Sequence, residues 1–594
     1  MHGKGLKQPT PTRSKLDLKI ADFSSLARAL DYAAGGRTGY NFYRGGELRS
    51  VLSYADLRAD ARRLASRLCG LGVPRGGRVA LVADTDPDFL RFFFACQYAG
   101  LIPVPLPALV QMGGRDAYVN QLRRLLGICG AEIAVSPKGF HPFLTEAAEG
   151  LNLRFTGTPA MFADLPEADT ELRPLDGEEP AYLQYTSGST RFPRGAVISQ
   201  RAVMSNLADI GVHGIRVRRS DRCVSWLPFY HDMGLVGLVL VPVATQMSVD
   251  YLSTFDFVMR PRQWLALITQ NRATLSIGPP FGYELCARRV REENIAGYDF
   301  SRWRFAGVGA EMIRAEQLRE FARIFAPCGF RQEAFVACYG MAECSLAVSF
   351  APLGRGLEVD CVDGERLASR KEAVPLHDHD PGGGRGKTFV KCGIPLPRYE
   401  VEVRDPEGRV LPERRCGTLF VRGPSVMSGY FGDPETTREV LSPDGWLNTG
   451  DVAYRASGAI VVTGREKDLI IIKGRNIWPQ DLEYLADLQP EVRSGDAAAF
   501  SIPDPDGGER AVMMIECRQS DPVKRARLVE RLKSVVFEEI GIECMIYLVP
   551  RNVLPRTTSG KLSRSEARRR FLERVGEEEL TDSGIDLYER AMCA

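Results

Sequence analysis

The chain is 594 residues long with 44% apolar and 26% charged residues, which is more than one compact core holds and excludes a disordered or fibrous protein. Its 77 Lys and Arg stand against 75 Asp and Glu for a net charge of +2, so no overall field drives it onto nucleic acid or an anionic membrane. The 14 cysteines run from Cys69 to Cys593 without a C-x-x-C pair, and the polar residues 1–15 lack an apolar leader core, so reduced thiols and a cytoplasmic location are expected.

In chain order, Leu57, Ala61, Leu64 and Leu68 recur at helical spacing behind the capping candidate Ser53, and Gly70 and Gly72 close the segment. The run Arg78-Val79-Ala80-Leu81-Val82-Ala83, bounded by Gly76, Gly77 and Asp84, has the composition of a buried parallel strand, and residues 89–98 follow as the next helix. This alternation continues to about Phe350. The most apolar stretches, 92–96 and 235–244, fall short of the ~20 residues that cross a bilayer, so no membrane insertion is expected. Residues 353–386, rich in Gly, Asp and Arg and including Pro381-Gly382-Gly383-Gly384, interrupt the pattern with loop chemistry and read as an insertion.

From Tyr399 the pattern changes to short strands at 399–403, 417–421 and 458–462, divided by turns such as Asp405-Pro406-Glu407-Gly408. Beyond Arg465, strands near 497–502 and 511–517 join a helix whose apolar face is Leu528, Leu532, Val535 and Val536. The expected class is α/β. A large N-terminal domain, 1–465, holds parallel α/β subdomains and a small β-rich subdomain at 399–465, and a small α+β C-terminal domain, 466–594, follows.

Chemistry first shows in Tyr185-Thr186-Ser187-Gly188-Ser189-Thr190-Arg191-Phe192-Pro193-Arg194-Gly195. Hydroxyls and backbone N–H groups in such a loop converge on phosphate oxygens while a cation neutralises them. It holds no Lys and is not a kinase-type P-loop. Alone, it is an ordinary solvated turn. Its companions in the same chain are Gly307-Val308-Gly309-Ala310-Glu311, Tyr339-Gly340-Met341-Ala342-Glu343, Asn448-Thr449-Gly450-Asp451, Thr463-Gly464-Arg465-Glu466-Lys467-Asp468 and Thr558-Ser559-Gly560-Lys561. Together these motifs resemble the adenylate-forming superfamily of acyl-CoA ligases, luciferases and nonribosomal-peptide adenylation domains over almost the whole chain.

The resemblance implies ATP as the nucleotide and assigns roles residue by residue. Thr186, Ser187, Gly188, Ser189, Thr190 and Arg194 grip the β- and γ-phosphates. Tyr339 stacks on adenine, with Gly309, Ala310 and Glu311 as the opposite wall and Gly340, Met341 and Ala342 beside it. Glu343 holds Mg2+, a hard cation that prefers oxygen. Asp451 accepts from both ribose hydroxyls, assisted by Arg465. Lys561 is the catalytic cation, because a carboxylate attacking the α-phosphorus builds negative charge that an ammonium bridges. Lys467 occupies the hinge of a mobile C-terminal domain. Pro193-Arg194-Gly195 replaces the usual Pro-Lys-Gly, Arg191 stands where glycine is common, and Ala342 where many relatives carry Thr.

The stretch Trp226-Leu227-Pro228-Phe229-Tyr230-His231-Asp232-Met233-Gly234-Leu235 resembles the acyl-pocket entrance of fatty acyl-AMP ligases, and residues 339–347 and 474–481 match them as well. Gly234, Gly237, Gly278 and Gly282, interleaved with Phe229, Met233 and Phe281, are expected to leave an apolar tunnel for an alkyl chain. Trp226 joins this substrate set, and His231 is a further catalytic candidate that Asp232 orients. In that subfamily an insertion such as 353–386 restrains the C-terminal domain and disfavours coenzyme A. The acyl group then passes to the phosphopantetheine arm of a separate acyl carrier protein.

His377 and His379 in the insertion read as solvent-facing, not as a metal site. The basic groups Lys524, Arg525, Arg527 and Arg564, Arg568, Arg569, Arg570 read either as a docking surface for an acidic carrier or as a solvated helix face. Three other readings stay open. A fatty acyl-CoA ligase shares every ATP-handling residue. An amino-acid adenylation enzyme needs Asp232 for the substrate ammonium. A non-catalytic nucleotide-binding scaffold is opposed by the retained Lys561, Glu343 and Asp451.

Overall fold

The computed structural model describes residues 8–108, 114–186, 193–290, 295–376, 386–472, 475–504, 508–557 and 562–575. Its elements start where local chemistry starts them. The Ser53 hydroxyl accepts from the Asp56 N–H at 3.1 Å and opens the helix Tyr54–Gly70, whose buried face includes Leu57, Ala61, Leu64 and Leu68. Asp86 caps the helix Pro87–Ala99, Pro87 occupies its first turn, and Gly100 ends it at a φ of 73°.

Two sheets carry the α/β part. The smaller is parallel throughout, in the order Ile102–Leu106, Arg78–Val82, Ile133–Val135, Phe155–Gly157. The larger has nine strands. Its centre pairs Phe335–Gly340, Phe305–Val308, Leu275–Gly278, Arg222–Ser225, Ser248–Leu252 and Gly39–Arg44 in parallel. Antiparallel strands close both edges: Ala347–Phe350 and Ile394–Pro395 on one, Glu47–Ser53 on the other. The segment Met233–Leu240 is wound as a π-helix and buried along most of its length.

The β-rich part is an antiparallel sheet of Glu400–Arg404, Gly417–Arg422, Leu447–Ala456 and Ala459–Arg465. Beyond it, Val492–Pro503, Glu509–Cys517 and Cys544–Val549 form a mixed sheet. The helix Pro522–Ile540 buries Leu528, Leu532 and Val536 against one face of that sheet, and Phe571 packs on Phe500 and Tyr547 at the other. The main apolar core runs from Ala21 to Ile460, while buried residues from Ile470 onward form cores of their own. Trp478 crosses over, packing with Val362, Leu367 and Phe389.

The insertion departs from the loop expected of it. Val359–Asp363 pairs antiparallel with Gly386–Val390, and the helix Gly364–Arg370 lies between them. Val362, Leu367, Ala368 and Phe389 give this hairpin its own apolar cluster against Tyr454 and Val461. Flanking Gly and Arg hid the strands from a compositional reading. His377, His379 and the residues 381–384 lie outside the described residues. Among the described residues, no helix is long and apolar enough to cross a membrane.

Candidate active site

Two loops meet at the carboxyl ends of the neighbouring parallel strands Phe305–Val308 and Phe335–Gly340, where α/β sheets bind their ligands. Both are closed by backbone approaches that only glycine allows. A Cβ on Gly309 would stand 2.7 Å from the carbonyl oxygen of Cys338, and one on Gly340 would stand 1.8 Å from that of Leu346. After Gly340, the Met341 N–H donates to the Leu346 carbonyl at 2.8 Å. The short 3-10 turn Ala342–Cys344 then carries Glu343. Ala310 holds a φ of 69°, a left-handed conformation rare for a residue with a Cβ.

Asp451 draws this corner together with the β-rich sheet. It is 7% exposed and stands opposite Arg465 in strand register. The Tyr339 hydroxyl donates to Asp451 Oδ2 at 2.7 Å, and Arg465 Nε donates to Oδ1 at 3.1 Å. The Asp451 N–H is held by Thr449 Oγ1 at 3.1 Å. Burial, then the Asp451 charge, push the Tyr339 phenol well above its ordinary range, so it stays a donor. Asp451 likewise raises Arg465. Each carboxylate oxygen has accepted one bond and retains a lone pair.

Glu343 is 8% exposed, and its Oε1 accepts from the Tyr430 hydroxyl at 2.8 Å. Burial raises its carboxyl, and the Tyr430 hydrogen bond opposes the shift. The turn that carries it packs on the strand Gly195–Ser199, which pairs with Pro180–Tyr185 to form the hairpin beneath the phosphate loop. At the base of that loop the Thr186 N–H donates to the Arg194 carbonyl at 2.9 Å. The Arg194 guanidinium lies 5.5 Å from the Tyr430 ring centre and 3.8 Å from Asp433. Ser187, Gly188, Ser189 and Thr190 lie outside the described residues. Magnesium keeps several waters and needs only one or two carboxylates beside substrate phosphates. A buried Glu343 next to the phosphate-loop hairpin suits that donor set. Among the described residues, no group of three His, Cys, Asp or Glu is arranged for a metal.

The acyl motif is packed differently from the expected tunnel. Trp226 stacks on Phe257 with ring centres 3.8 Å apart, and Phe281 meets its edge at 5.5 Å. A Cβ on Gly278 or Gly282 would stand 3.2 or 2.6 Å from the Trp226 ring. The space these glycines leave is therefore taken by the indole. Gly234 serves the backbone, since its Cβ would meet the Pro228 carbonyl oxygen at 2.1 Å. Phe229 is buried between Phe89 and Tyr251, and Met233 is buried in the same core. Among the described residues, buried Trp226 Nε1 has no hydrogen-bond partner, and neither has the Oε1 of Gln184, whose Nε2 donates to the Tyr230 carbonyl at 2.8 Å. Neither orphan was visible in the sequence, because nothing local marks a polar atom that tertiary packing leaves unpaired.

His231 Nδ1 lies 2.6 Å from Asp232 Oδ1, and the Met233 N–H donates to that oxygen at 2.8 Å. Asp232 thus holds the imidazole and caps the segment Met233–Leu240 through the same oxygen. Lys467 is exposed on the turn Glu466–Asp468. Lys561 lies outside the described residues, as do residues 558–560.

The C-terminal basic groups are corrected in part. Arg564 is no docking residue: it bridges Asp468 at 2.8 Å and Glu483 at 2.7 Å, joining the turn Glu466–Asp468 to the helix Pro479–Asp487. Arg569 and Arg570 pair with Glu566 on their own helix, and Arg568 donates to the Ser501 carbonyl at 2.8 Å. Contacts that the motifs did not announce hold this unit to the rest. Lys387 of the insertion pairs with Asp481 and lies 3.8 Å from the Trp478 ring centre. Arg314 donates to the Gln480 carbonyl at 2.7 Å and covers the Tyr484 ring at 4.1 Å.

The chain is similar to known proteins along most of its length. The AMP-binding enzyme family model matches residues 33–431. A putative acyl-CoA synthetase of Caulobacter vibrioides is 48% identical over 95% of this chain and 98% of its own. The medium-chain-fatty-acid–[acyl-carrier-protein] ligase JamA of Moorena producens is 30% identical over 93% of this chain and 96% of its own. A solved structure from structural and functional studies of fatty acyl-adenylate ligases of E. coli and L. pneumophila shares 47% identity. It superposes with a TM-score of 0.89 over 94% of this chain and 99% of that one.

Proposed function

Because the chain belongs to the AMP-binding enzyme family and is an ATP-dependent acid ligase of the fatty acyl-AMP ligase kind, we propose that it adenylates a medium- or long-chain fatty acid and then acylates the phosphopantetheine thiol of a separate acyl carrier protein. The observation that carries the ATP half is the Tyr339–Asp451–Arg465 cluster, a buried carboxylate already oriented by two donors. Its remaining lone pairs suit two ribose hydroxyls, with the adenine lying between Tyr339 and the Gly309–Ala310–Glu311 loop.

The fatty acid is a carboxylate at neutral pH, so its attack needs no protein base. One of its oxygens bonds to the α-phosphorus as the bond to the β-phosphate bridging oxygen breaks, and pyrophosphate leaves. Arg194 and the Thr186–Thr190 loop hold the phosphates, and Lys561 bridges the charge that builds at the α-phosphate. Magnesium, when bound, neutralises phosphate charge, and Glu343 would hold it. Trp226, Phe229, His231, Met233, Gly234, Gly278 and Phe281 line the acyl end in this reading, with Lys467 as the hinge. A division of the chain near Arg465 belongs to the same proposal. So does a cytoplasmic location, which suits cysteines that are all unpaired among the described residues.

The carrier acceptor is supported by the insertion hairpin, which grips the C-terminal unit through Lys387 and Trp478, and by relatives named as carrier-protein ligases. The Caulobacter relative's name favours coenzyme A instead. One incubation separates the two acceptors: purified protein, magnesium, ATP, coenzyme A, an acyl carrier protein and fatty acids of graded length, with products read by mass spectrometry. Acyl-adenylate and acyl-carrier without acyl-CoA is the expected result. Dominant acyl-CoA would overturn the carrier reading and leave the adenylation intact.

A further inference from the structure

Tyr182 and Gln184, two residues apart on the strand Pro180–Tyr185, share one of its faces. That face meets the acyl motif. Gln184 Nε2 donates to the Tyr230 carbonyl at 2.8 Å. Burial, then the Asp232 charge, push the Tyr182 phenol above its ordinary range. Both side chains are buried, Gln184 to 1% exposure.

Gln184 differs from the buried glutamines around it. Gln97, which bonds to the same strand, uses both ends of its amide: Nε2 donates to the Ala181 carbonyl at 2.8 Å, and Oε1 accepts from Gln200 Nε2 at 2.6 Å. Gln200 Oε1 in turn accepts the Leu26 N–H at 3.0 Å. Gln184 Oε1, by contrast, is buried with no partner among the described residues. Such an acceptor costs stability, and buried amides left half used are uncommon. The amide cannot turn over to relieve the cost, because a flip would set its oxygen against the Tyr230 carbonyl. What the side chain secures is therefore the bond to Tyr230, at a place where fold stability alone does not call for an amide.

That bond joins two parts of the site. The Tyr230 carbonyl belongs to the planar peptide unit that ends on the His231 nitrogen. The His231 side chain is 20% exposed, with Nδ1 held by Asp232 at 2.6 Å. On the other side, Gln184 stands two residues before Thr186, whose N–H closes the base of the phosphate loop on the Arg194 carbonyl at 2.9 Å. We propose that Gln184 is a positioning residue for adenylation: by holding the Tyr230 carbonyl it fixes His231, and the acyl carboxylate beside it, relative to the phosphate loop. The inference rests on the placement of His231 at the acyl end of the site. Attack on the α-phosphorus needs the carboxylate oxygen close and aligned, and a misplacement of about 1 Å can cost about 10²-fold in rate. One carbonyl held from the phosphate-loop strand therefore has leverage on kcat.

A double-mutant cycle on the full-length protein tests this, read as pyrophosphate release with ATP and dodecanoate. Gln184→Met keeps the length of the side chain and removes its donor. It should lower kcat about tenfold and leave the KM for ATP within about twofold. In a His231→Ala background the same change should cost less than about twofold, because it acts through the histidine. The melting temperature should fall by a few degrees at most, since the orphaned acceptor leaves with the donor. Gln184→Glu supplies a rescue: burial and the nearby Asp232 raise its carboxyl, and the protonated form donates to the same carbonyl. At about pH 6 it should be severalfold faster than Gln184→Met. Wild-type kcat in Gln184→Met, additive losses in the cycle, or a glutamate variant no faster than the methionine one would overturn the inference. So would loss of the folded state in both variants, which would make Gln184 a structural residue. If His231→Ala alone leaves kcat unchanged, the placement of His231 at the acyl end fails and the inference falls with it; additive losses beside a slow His231→Ala enzyme overturn the inference alone.

Discussion

The nucleotide corner and the junction with the C-terminal unit are built from similar residues to opposite effect. At the corner, Asp451 is 7% exposed and is gripped by Tyr339 and Arg465, and the flanking loops turn at Gly309 and Gly340, where backbone lies against backbone. At the junction, the Lys387 and Asp481 side chains are 27% and 39% exposed, and Arg314 covers Tyr484 from the far side. A buried charge that loses its partners is costly, whereas exposed pairs contribute about 0–1 kcal/mol each. The first region is centred on a buried carboxylate, the second on partly exposed pairs.

The comparison breaks most readily at the corner. Asp451→Ala strands the Tyr339 hydroxyl and the Arg465 guanidinium, and pyrophosphate exchange should fall by about 10²–10³-fold; a variant with near-normal exchange would remove Asp451 from the nucleotide site. Gly340→Ala drives a Cβ into the Leu346 carbonyl and should cost about 3 kcal/mol in denaturant unfolding, with Glu343 displaced and activity lost alongside.

The junction should respond more gently. Burial pushes the Asp487 carboxyl from 3.8 to about 6, with Arg314 opposing the shift and Glu284 adding to it. Between those values the folded state keeps a proton that the unfolded chain has lost, so stability falls as pH rises through this window and levels off above it. The drop should be at most about 3 kcal/mol. Asp487→Asn should flatten the profile and be the more stable protein at pH 7; a slope that persists in the variant assigns the effect to another group. Smallest of all, Lys387→Ala should change global stability by less than about 1 kcal/mol. Its signature should instead be acyl-CoA appearing among the products, if this contact helps to exclude coenzyme A.

The corner was largely legible in the sequence because its groups sit in short contiguous motifs. Tyr339, Glu343 and Arg465 occupy a turn or strand end and Asp451 lies within a strand, each in a short motif whose glycines and hydroxyls are local signatures. The acyl motif was legible as a motif and misread as a shape. Gly278 and Gly282 are far from Trp226 in the chain, and only packing shows that the indole fills the room they leave. Arg564 was misread for a similar reason: a run of arginines looks solvated until Asp468 and Glu483 arrive from another turn and another helix.

By itself the sequence determined the α/β class, the β-rich segment after Tyr399 and the adenylate-forming motifs, since helical and strand periodicities and loop chemistry are short-range properties of the chain. Tertiary structure alone decided that the insertion is a hairpin docked on Trp478, that Asp451 is shared between Tyr339 and Arg465, and that the Trp226 indole fills the room beside Gly278 and Gly282. Each of these depends on which distant residues arrive at a surface and how much water they exclude, and no local pattern encodes that.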